Sequence, residues 1–264
     1  MAVWTPMRVR TRLGSAEGGC EVIDVQPEIR RVVVVVPVHN EELLLDACLS
    51  ALGQACERVG VETPVVETQA IVVLDSCTDS SLDIARTWSD KIDVSVVSVD
   101  RRNVGAARAA GFLAAFRDAR VSSYSDVWFA TTDADSEVGG NWLSSQLAHA
   151  RRGARVVAGT VTPDSDGVSP ALALAYASGY RHQPGHRHVH GANLGFRADA
   201  YWSVGGFGAL ATAEDVDLVS RLEHAGIDVL YASDGPVRTS SRRVGRAPDG
   251  FAGHLRDLEL AIAQ

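Results

Sequence analysis

The chain has 264 residues, enough for one large α/β domain or for two small lobes around a shared core. Its composition, 46% hydrophobic and 22% charged, is close to that of soluble globular domains and argues against disorder. A formal net charge of −8 argues against general nucleic-acid binding. The longest apolar run, residues 32–38, is too short to cross a bilayer.

No apolar block follows the N-terminal arginines, so we expect no signal peptide. The four cysteines form no CxxC pair and do not have the spacing of zinc ligands. We therefore expect reduced thiols in a cytoplasmic protein.

Predicted strands and helices alternate through the first half of the chain. Strands are predicted at a run of five valines that Pro37 ends, and at residues 69–75, 93–100, 126–135 and 154–161. Helices are predicted at residues 40–59, with Asn40 as the N-cap, and at 81–90, 104–119 and 141–153. Unbroken β-branched runs are typical of strands buried on both faces. The alternation predicts right-handed βαβ crossovers and a mostly parallel central sheet flanked by helices, an α/β fold.

The pattern changes after residue 162. We predict a helix at 171–183, a glycine- and aromatic-rich segment at 185–208, a helix at 211–226, a last strand at 227–232 and a basic, flexible tail at 237–250. We interpret residues 1–28 as an N-terminal extension, 29–162 as a nucleotide-binding half, and 163–264 as a smaller second lobe with the C-terminal tail. All three belong to one continuous domain.

Polar side chains follow each of the first four predicted strands: Asn40 and Glu41, Asp75 and Asp79, Asn103, and then Asp133 and Asp135. Ligands of open parallel sheets bind outside the carboxyl ends of the strands. Each of these residues alone is typical of a turn or cap, but their succession at one sheet edge favours a binding site. Neither a Walker A loop nor a dinucleotide fingerprint follows the first strand.

Asp133 and Asp135 would point the same way in an extended backbone. Two like charges there are unfavourable unless a cation or a donor lies between them. Carboxylate oxygens suit Mg²⁺ or Mn²⁺, which bridge phosphate oxygens in turn. We therefore predict a divalent metal shared by these two aspartates and a nucleotide. The alternative is a strand that ends in a polar turn.

Six motifs occur in order within residues 31–222: "VVVPVHNEE", "VVLDSCTDSS", "RNVGAARAAG", "WFATTDADS", "GANLGFR" and "ATAEDVDLVSRL". Together they resemble the family 2 glycosyltransferases, inverting enzymes of the GT-A fold. The resemblance implies a GT-A-like, Rossmann-type sheet with a smaller acceptor-side lobe. It also implies transfer of one sugar from a UDP- or GDP-linked donor to an acceptor hydroxyl. The Gln-x-x-Arg-Trp motif of processive members is absent from the sequence, which favours a soluble, non-processive enzyme.

The resemblance implies donor-side roles for residues that match the family's motifs. The residues beside the base and ribose would be Pro37, Asn40 and Glu41. The aspartate that contacts the base would be Asp75, with Asp79 in its loop. The segment against the nucleotide would contain Asn103, Gly105 and Arg108. Asp133 and Asp135 match the metal and diphosphate motif, with Asp135 the more direct ligand of Mg²⁺ or Mn²⁺.

The resemblance also implies roles on the acceptor side. In the pair Glu214-Asp215, the aspartate matches the general base, which takes the proton of the attacking hydroxyl. An acidic helix start that complements the helix dipole is the alternative interpretation of this pair. Gly191 and Asn193 match the acceptor-side loop, which places His190 close to the transferred sugar.

Two segments remain open. His186, His188 and His190 alternate, so in a strand they would share one face as a metal site or as a polar rim near the acceptor. Residues 238–243, "RTSSRR", either fold over the donor diphosphate or form a solvated end.

Alternative functions are a non-catalytic sugar-nucleotide-binding protein or partner subunit and, with less support, a sugar-phosphate nucleotidyltransferase. The latter needs a glycine-rich loop after the first strand, where the sequence has "PVHNEE". The sequence does not identify the acceptor, a small or a lipid-linked molecule. It also leaves open a homodimer and peripheral attachment to a membrane.

Overall fold

The computed structural model describes residues 28–117, 123–165, 168–180, 183–242 and 251–262. The predicted N-terminal extension, apart from Glu28, lies outside these ranges, as do Cys20 and Arg243. The strands are β1 Arg31–Val38, β2 Glu67–Asp75, β3 Val94–Val99, β4 Val127–Thr131, β5 Ser136–Glu137, β6 Val156–Ala158, β7 Val161–Pro163, β8 Leu194–Arg197, β9 Val229–Tyr231 and β10 Val237–Thr239. The helices are α1 Leu45–Glu62, α2 Ser81–Trp88, α3 Val104–Arg117, α4 Trp142–Arg151, α5 Pro170–Gly179, α6 Ala198–Ser203, α7 Glu214–His224 and α8 Phe251–Ile262, with a 3₁₀ turn at Gly191–Asn193.

The central sheet has seven strands in the order β3-β2-β1-β4-β8-β6-β9. It is parallel except for β8, which runs antiparallel to β4 and β6. The predicted α/β fold with a mostly parallel sheet is therefore confirmed.

The valine run of β1 has no polar alternation because both faces of the sheet are covered. Val32, Val34 and Val36 pack in one cluster with α1 and α4, whereas Val33 and Val35 pack in a second cluster with α3 and α7. All five valines are fully buried. Such burial on both faces is what an unbroken β-branched run indicates.

Pro37 does not end the first strand, as the sequence suggested, because β1 continues to Val38. The last pair between β1 and β4 is Val35 with Thr131, so Pro37 lies beyond the end of β4 and pairs only with β2. A proline is tolerated where its missing N–H faces no strand. The first helix also begins later than predicted, and Asn40, with a φ of 53°, is not its N-cap.

The predicted strand at 154–161 is divided between two sheets. Residues of β6 belong to the central sheet, and β7 belongs to a small second sheet of order β5-β10-β7. Strand β10 pairs antiparallel with β5 and parallel with β7. It arises from the segment that the sequence suggested to be a flexible tail, and α8 follows it.

Strand β8 and helix α6 come from the glycine- and aromatic-rich segment. Phe196 of β8 pairs with Phe129 of β4, and Phe112 packs against Phe129 with ring centroids 4.7 Å apart. This aromatic cluster fills the face of the sheet beneath α3. None of the helices in the described ranges combines the length and apolar character needed to cross a bilayer.

Candidate active site

A cavity of about 760 Å³ lies at the carboxyl ends of β1, β2 and β4. Its wall includes eleven of the residues singled out from the sequence: Pro37, Glu41, Asp75, Asn103, Arg108, Asp133, Asp135, His190, Gly191, Glu214 and Asp215. Strand ends of a parallel sheet meet at one edge, so residues far apart in the sequence converge there.

Four of the singled-out residues are not in the cavity wall: Asn40, Asp79, Gly105 and Asn193. Asp79 binds the backbone N–H groups of Glu42 and Ser81, at the start of α2. Asn40 accepts a hydrogen bond from the N–H of Thr78. The contacts of both residues stabilise the loops that surround the cavity.

Gly105 and Asn193 occupy crowded positions behind the cavity. A Cβ on Gly105 would lie 2.2 Å from the carbonyl oxygen of Gly208. The buried Asn193 accepts a hydrogen bond of 2.8 Å from the indole N–H of Trp142, and its Nδ2 donates to the carbonyl oxygens of Thr160 and Gly235. These contacts hold the Asn193 amide within the fold behind the cavity.

Asp133 and Asp135 lie in a turn, because β4 ends at Thr131 and the N–H of Ser136 binds the carbonyl oxygen of Asp133. The expectation that an extended backbone aligns the two carboxylates is therefore wrong. Each carboxylate instead binds its own arginine, Asp133 with Arg108 and Asp135 with Arg242. Both still face the same cavity.

Burial raises the pKa of the Asp135 carboxyl to about 6. The neighbouring Asp133 and Glu41 add to the rise, and Arg242 opposes it. The pKa shift means that the surroundings penalise the ionised form of Asp135 more than water does, with Arg242 offsetting part of that cost. A cation near Asp135 would therefore stabilise its carboxylate.

Arg108 connects three parts of the cavity wall. Its side chain is only 2% exposed, and its terminal nitrogens contact Asp133 on one side and Glu214 on the other. Its Nε donates to the hydroxyl of Thr131. A buried arginine with such partners fixes the position of the carboxylates around it.

Asp215 lies in the first turn of α7, next to Glu214. The backbone N–H of Gly191 donates to its Oδ2 at 2.6 Å, and the N–H of Val216 donates to Oδ1 at 2.8 Å. The residue before this helix turn, Ala213, has a left-handed φ of 57°, which is unusual for a residue with a Cβ. The helix start thus brings Asp215 to the cavity while Glu214 turns toward Arg108.

Asp75 organises the loop that precedes α3. Its carboxylate accepts hydrogen bonds from the backbone N–H groups of Arg101, Arg102 and Asn103. Burial alone would raise the pKa of Asp75, but these N–H donors hold it below its ordinary value. Asp75 is therefore a carboxylate with fixed geometry at the edge of the cavity.

The histidines at 186, 188 and 190 do share one face. The rings of His186 and His188 stack with centroids 5.4 Å apart, and His188 stacks on Tyr180 at 4.0 Å. The Tyr180 hydroxyl lies 2.8 Å from Nε2 of His190. Within the described ranges, no group of three or more His, Cys, Asp or Glu side chains is placed to hold a metal.

Comparison with known proteins identifies the family. Residues 33–204 match the family model described as glycosyl transferase family 2. The chain belongs to this family. No curated protein sequence matches the chain significantly. The family predicted from the ordered motifs is thus confirmed.

Solved glycosyltransferase structures have a similar fold. S. aureus TarS in complex with UDP-GlcNAc matches with a TM-score of 0.62 and 15% identity, over 88% of this chain and 65% of that chain. The mannosyltransferase PcManGT from Pyrobaculum calidifontis, in complex with GDP-Man and Mn²⁺, matches with a TM-score of 0.59 and 19% identity, over 90% of this chain and 72% of that chain. Glucosyl-3-phosphoglycerate synthase from Mycobacterium tuberculosis, in complex with phosphoglyceric acid, matches with a TM-score of 0.54 and 16% identity, over 88% of this chain and 80% of that chain.

These identities are low, so the likeness concerns the fold, which is the expected GT-A type. The family 2 chain described here spans 65% of one TarS chain and 39% of another, less than two thirds of their length.

The chemistry of this family 2 site fits a divalent cation. A cation such as Mg²⁺ or Mn²⁺ takes one or two carboxylates from a protein and completes its shell with phosphate oxygens and water. Asp133 and Asp135 could supply that share. A positive group, the guanidinium of Arg242, already lies against Asp135.

Sequence reasoning did not single out several residues of the cavity wall, among them His39, Arg102, Tyr180 and Phe251. For Arg242 a signal existed in the run "RTSSRR", which the sequence left undecided between two interpretations. The structure places Arg242 in the cavity, whereas Arg238 is exposed and pairs with Glu137.

Proposed function

We propose that this protein transfers a single sugar from a nucleotide-diphosphate donor to an acceptor hydroxyl, with inversion at the sugar and with Asp215 as the general base. The observation that carries the proposal is that one cavity contains both the Asp133–Asp135 turn and the carboxylate of Asp215. Family membership supports the reaction class. The donor class, UDP- or GDP-linked, is supported by the ligands of the TarS and PcManGT structures.

The choice of Asp215 over Glu214 rests on their partners. Glu214 is buried and its carboxylate is already bound to the arginine at position 108, so it is not available to an acceptor. Asp215 is partly exposed in the cavity and is held by N–H groups, which orient it without neutralising it. A base must reach the acceptor hydroxyl directly, and the partly exposed Asp215 is open to the cavity.

On the donor side, we propose that Asp133 and Asp135 hold Mg²⁺ or Mn²⁺ with the donor diphosphate. When bound, the metal would stabilise negative charge on the leaving phosphates. The loop at Arg101, Arg102 and Asn103, fixed by Asp75, would form the edge against the base, together with Pro37 and Glu41. On the acceptor side, His190 and Gly191 would border the transferred sugar.

Calorimetry of UDP and GDP binding, with and without Mn²⁺, tests the donor site. We expect one nucleotide to bind in a metal-dependent way to the wild type and to lose this binding in Asp135→Ala. The matched control is Asp234→Ala, because Asp234 is an exposed aspartate that pairs with His149. Absence of binding for both nucleotides under every metal condition would refute the proposed donor site.

A non-catalytic sugar-nucleotide-binding protein is the main alternative. It would bind the same nucleotide but would show neither donor hydrolysis nor transfer in the presence of Mn²⁺ and candidate acceptors. Detectable release of UDP or GDP from the matching sugar nucleotide, lost in Asp215→Asn while nucleotide binding is kept, separates the enzyme from this alternative.

A further inference from the structure

The guanidinium of Arg242 lies between two buried carboxylates. Its Nη1 is 2.9 Å from Oε1 of Glu41, and its Nη2 is 2.6 Å from Oδ2 of Asp135. The side chains of Glu41 and Asp135 are 7% and 11% exposed, whereas that of Arg242 is 33% exposed. The arginine thus supplies the positive charge that two buried carboxylates need when they lie close together.

The cavity as a whole has an excess of negative charge. Six carboxylates and three arginines line it. Arg108 forms ion pairs with Asp133 and Glu214. Arg242 forms ion pairs with Glu41 and Asp135. An anionic diphosphate could enter such a cavity only with additional positive charge, because like charges in a poorly solvated site repel strongly.

A divalent cation on Asp135 would compete with Arg242 for the same carboxylate. Such a cation binds carboxylate oxygens at about 2.0–2.2 Å. Arg242 already uses Oδ2 of Asp135, and the second oxygen, Oδ1, faces the hydroxyl of Ser136. A cation at the same carboxylate would therefore lie near the guanidinium, and the two positive charges would repel one another.

The backbone around Arg242 would let the side chain leave without a rearrangement of the fold. The N–H of Ser240 binds the carbonyl oxygen of Asp135 at 3.0 Å, and the hydroxyl of Ser241 binds Asp164 at 2.8 Å. These bonds anchor the chain up to the residue before Arg242. Rotation about the bonds of the arginine side chain is then sufficient to free Asp135.

We propose that Arg242 is a built-in counter-ion that occupies the metal position of the donor site and is displaced when metal and nucleotide diphosphate bind together. Free divalent cations then bind poorly, because they must break the contact of Arg242 with Asp135 without compensation from phosphates. The part of this inference that concerns the diphosphate rests on the proposed function. The competition between Arg242 and the metal does not.

The test measures Mn²⁺ binding in the absence of nucleotide, by electron paramagnetic resonance of the free ion. We expect Arg242→Gln to bind Mn²⁺ at least about tenfold more tightly than the wild type, since the competing charge is gone. Arg242→Lys, which keeps the charge, is expected to bind as weakly as the wild type. The matched control is Arg238→Gln, because Arg238 lies on the same segment but outside the cavity wall and pairs with Glu137.

The double variant Arg242→Gln with Asp135→Asn tests whether the added Mn²⁺ affinity comes from Asp135. We expect this variant to lose the increase in affinity that Arg242→Gln shows. Thermal unfolding followed by circular dichroism verifies the fold of each variant, and Arg242→Met replaces Arg242→Gln should the latter fail to fold. Equal Mn²⁺ affinity in the wild type and the neutral variants would overturn the inference, as would a gain that persists without Asp135. Because no nucleotide is present, these outcomes are independent of whether the protein binds UDP or GDP.

Discussion

Arg108 and Glu214 are 106 positions apart in the sequence and form an ion pair that is buried from solvent. The pair connects α3 to the first turn of α7. The same guanidinium contacts Asp133 after β4, so one side chain joins the helix of the proposed base to the proposed metal turn. The relative position of the two halves of the site depends on this arginine.

Removal of Arg108 should strongly destabilise the fold. Arg108→Leu leaves Glu214 buried and unpaired, and we expect the free energy of unfolding to fall by about 3–5 kcal/mol. The double variant with Glu214→Leu should recover part of this loss, because no uncompensated buried charge remains. Urea unfolding of the single and double variants measures the coupling.

The exposed i,i+4 pair of Arg58 and Glu62 provides the control for this cycle. Arg58→Gln should cost less than about 1 kcal/mol. A double variant at positions 108 and 214 whose loss equals the sum of the two single losses would contradict the assigned pairing.

Asp215→Asn should separate binding from turnover. Asparagine can still accept the hydrogen bond from Gly191, so the fold and nucleotide affinity should stay within about twofold, whereas kcat should fall by about 10²–10⁴, the usual contribution of a general base. Calorimetry measures the nucleotide affinity, and steady-state kinetics of nucleotide release measure kcat. Asp217→Asn on the same helix, where Asp217 pairs with Arg221, should keep kcat, and an equal fall in both variants would argue against Asp215 as the base.

Gly191 must remain without a side chain. A Cβ there would lie 2.3 Å from Nη2 of Arg108, which two carboxylates hold in place. We expect Gly191→Ala to lower the free energy of unfolding by about 1–3 kcal/mol through overpacking. Gly60→Ala in α1, where no heavy atom lies within 4 Å of the added Cβ, should instead be neutral or stabilising by up to about 1 kcal/mol. If urea unfolding shows that Gly191→Ala and Gly60→Ala change the free energy of unfolding equally, crowding against Arg108 does not explain the effect at Gly191.

We expect the Asn193 side chain to contribute to the stability of the fold and not to substrate binding. Asn193→Ala removes the acceptor of the buried Trp142 N–H and the donor to two carbonyl groups, so we expect a loss of about 2–3 kcal/mol of stability. At temperatures where the variant stays folded, KM for the donor and the acceptor should change less than about twofold. A large rise in KM without loss of stability would instead support the sugar contact suggested by the sequence.

The stability of the metal-free protein should depend on the ionisation of Asp135. Burial raises the pKa of Asp135 to about 6 in the folded state, above the ordinary value of an aspartate. The folded state therefore binds the proton more tightly, and this contribution to the free energy of unfolding decreases as the pH rises from about 4 to about 6 and is constant above. Asp135→Asn should gain about 1–3 kcal/mol relative to the wild type over this range.

Urea unfolding in the presence of a chelator at pH 4.5, 5.5 and 7 measures this difference. Asp83→Asn, at an exposed position on α2, is the control: its free energy of unfolding should depend on pH in the same way as that of the wild type. If the free energy of unfolding of Asp135→Asn depends on pH in the same way as that of the wild type, the Asp135 carboxyl of the wild type titrates in the ordinary range.

The sequence alone was sufficient for the family and for the alternation of strands and helices in the first half. Both depend on local patterns. The valine run of β1 is apolar on every residue because α1 covers one face and α3 the other, and the carboxyl ends of parallel strands meet at one edge. The positions of Glu41, Asp75, Asp133 and Asp135 around one cavity follow from that rule.

The pairing of charges within the cavity depended on tertiary structure. Strand β10 was missed because its backbone partners, β5 and β7, come from distant segments, and a three-residue strand has no periodicity of its own. Only that pairing brings Arg242 to Asp135. Likewise, the turn after Thr131 points Asp133 toward Arg108 and Asp135 toward Arg242, although their spacing suggested parallel side chains. The sequence determined which carboxylates surround the cavity. The register of the small sheet and the start of α7 decided which arginine pairs with Glu41, Asp133, Asp135 and Glu214, because ion pairs form between groups that only the folded chain brings together.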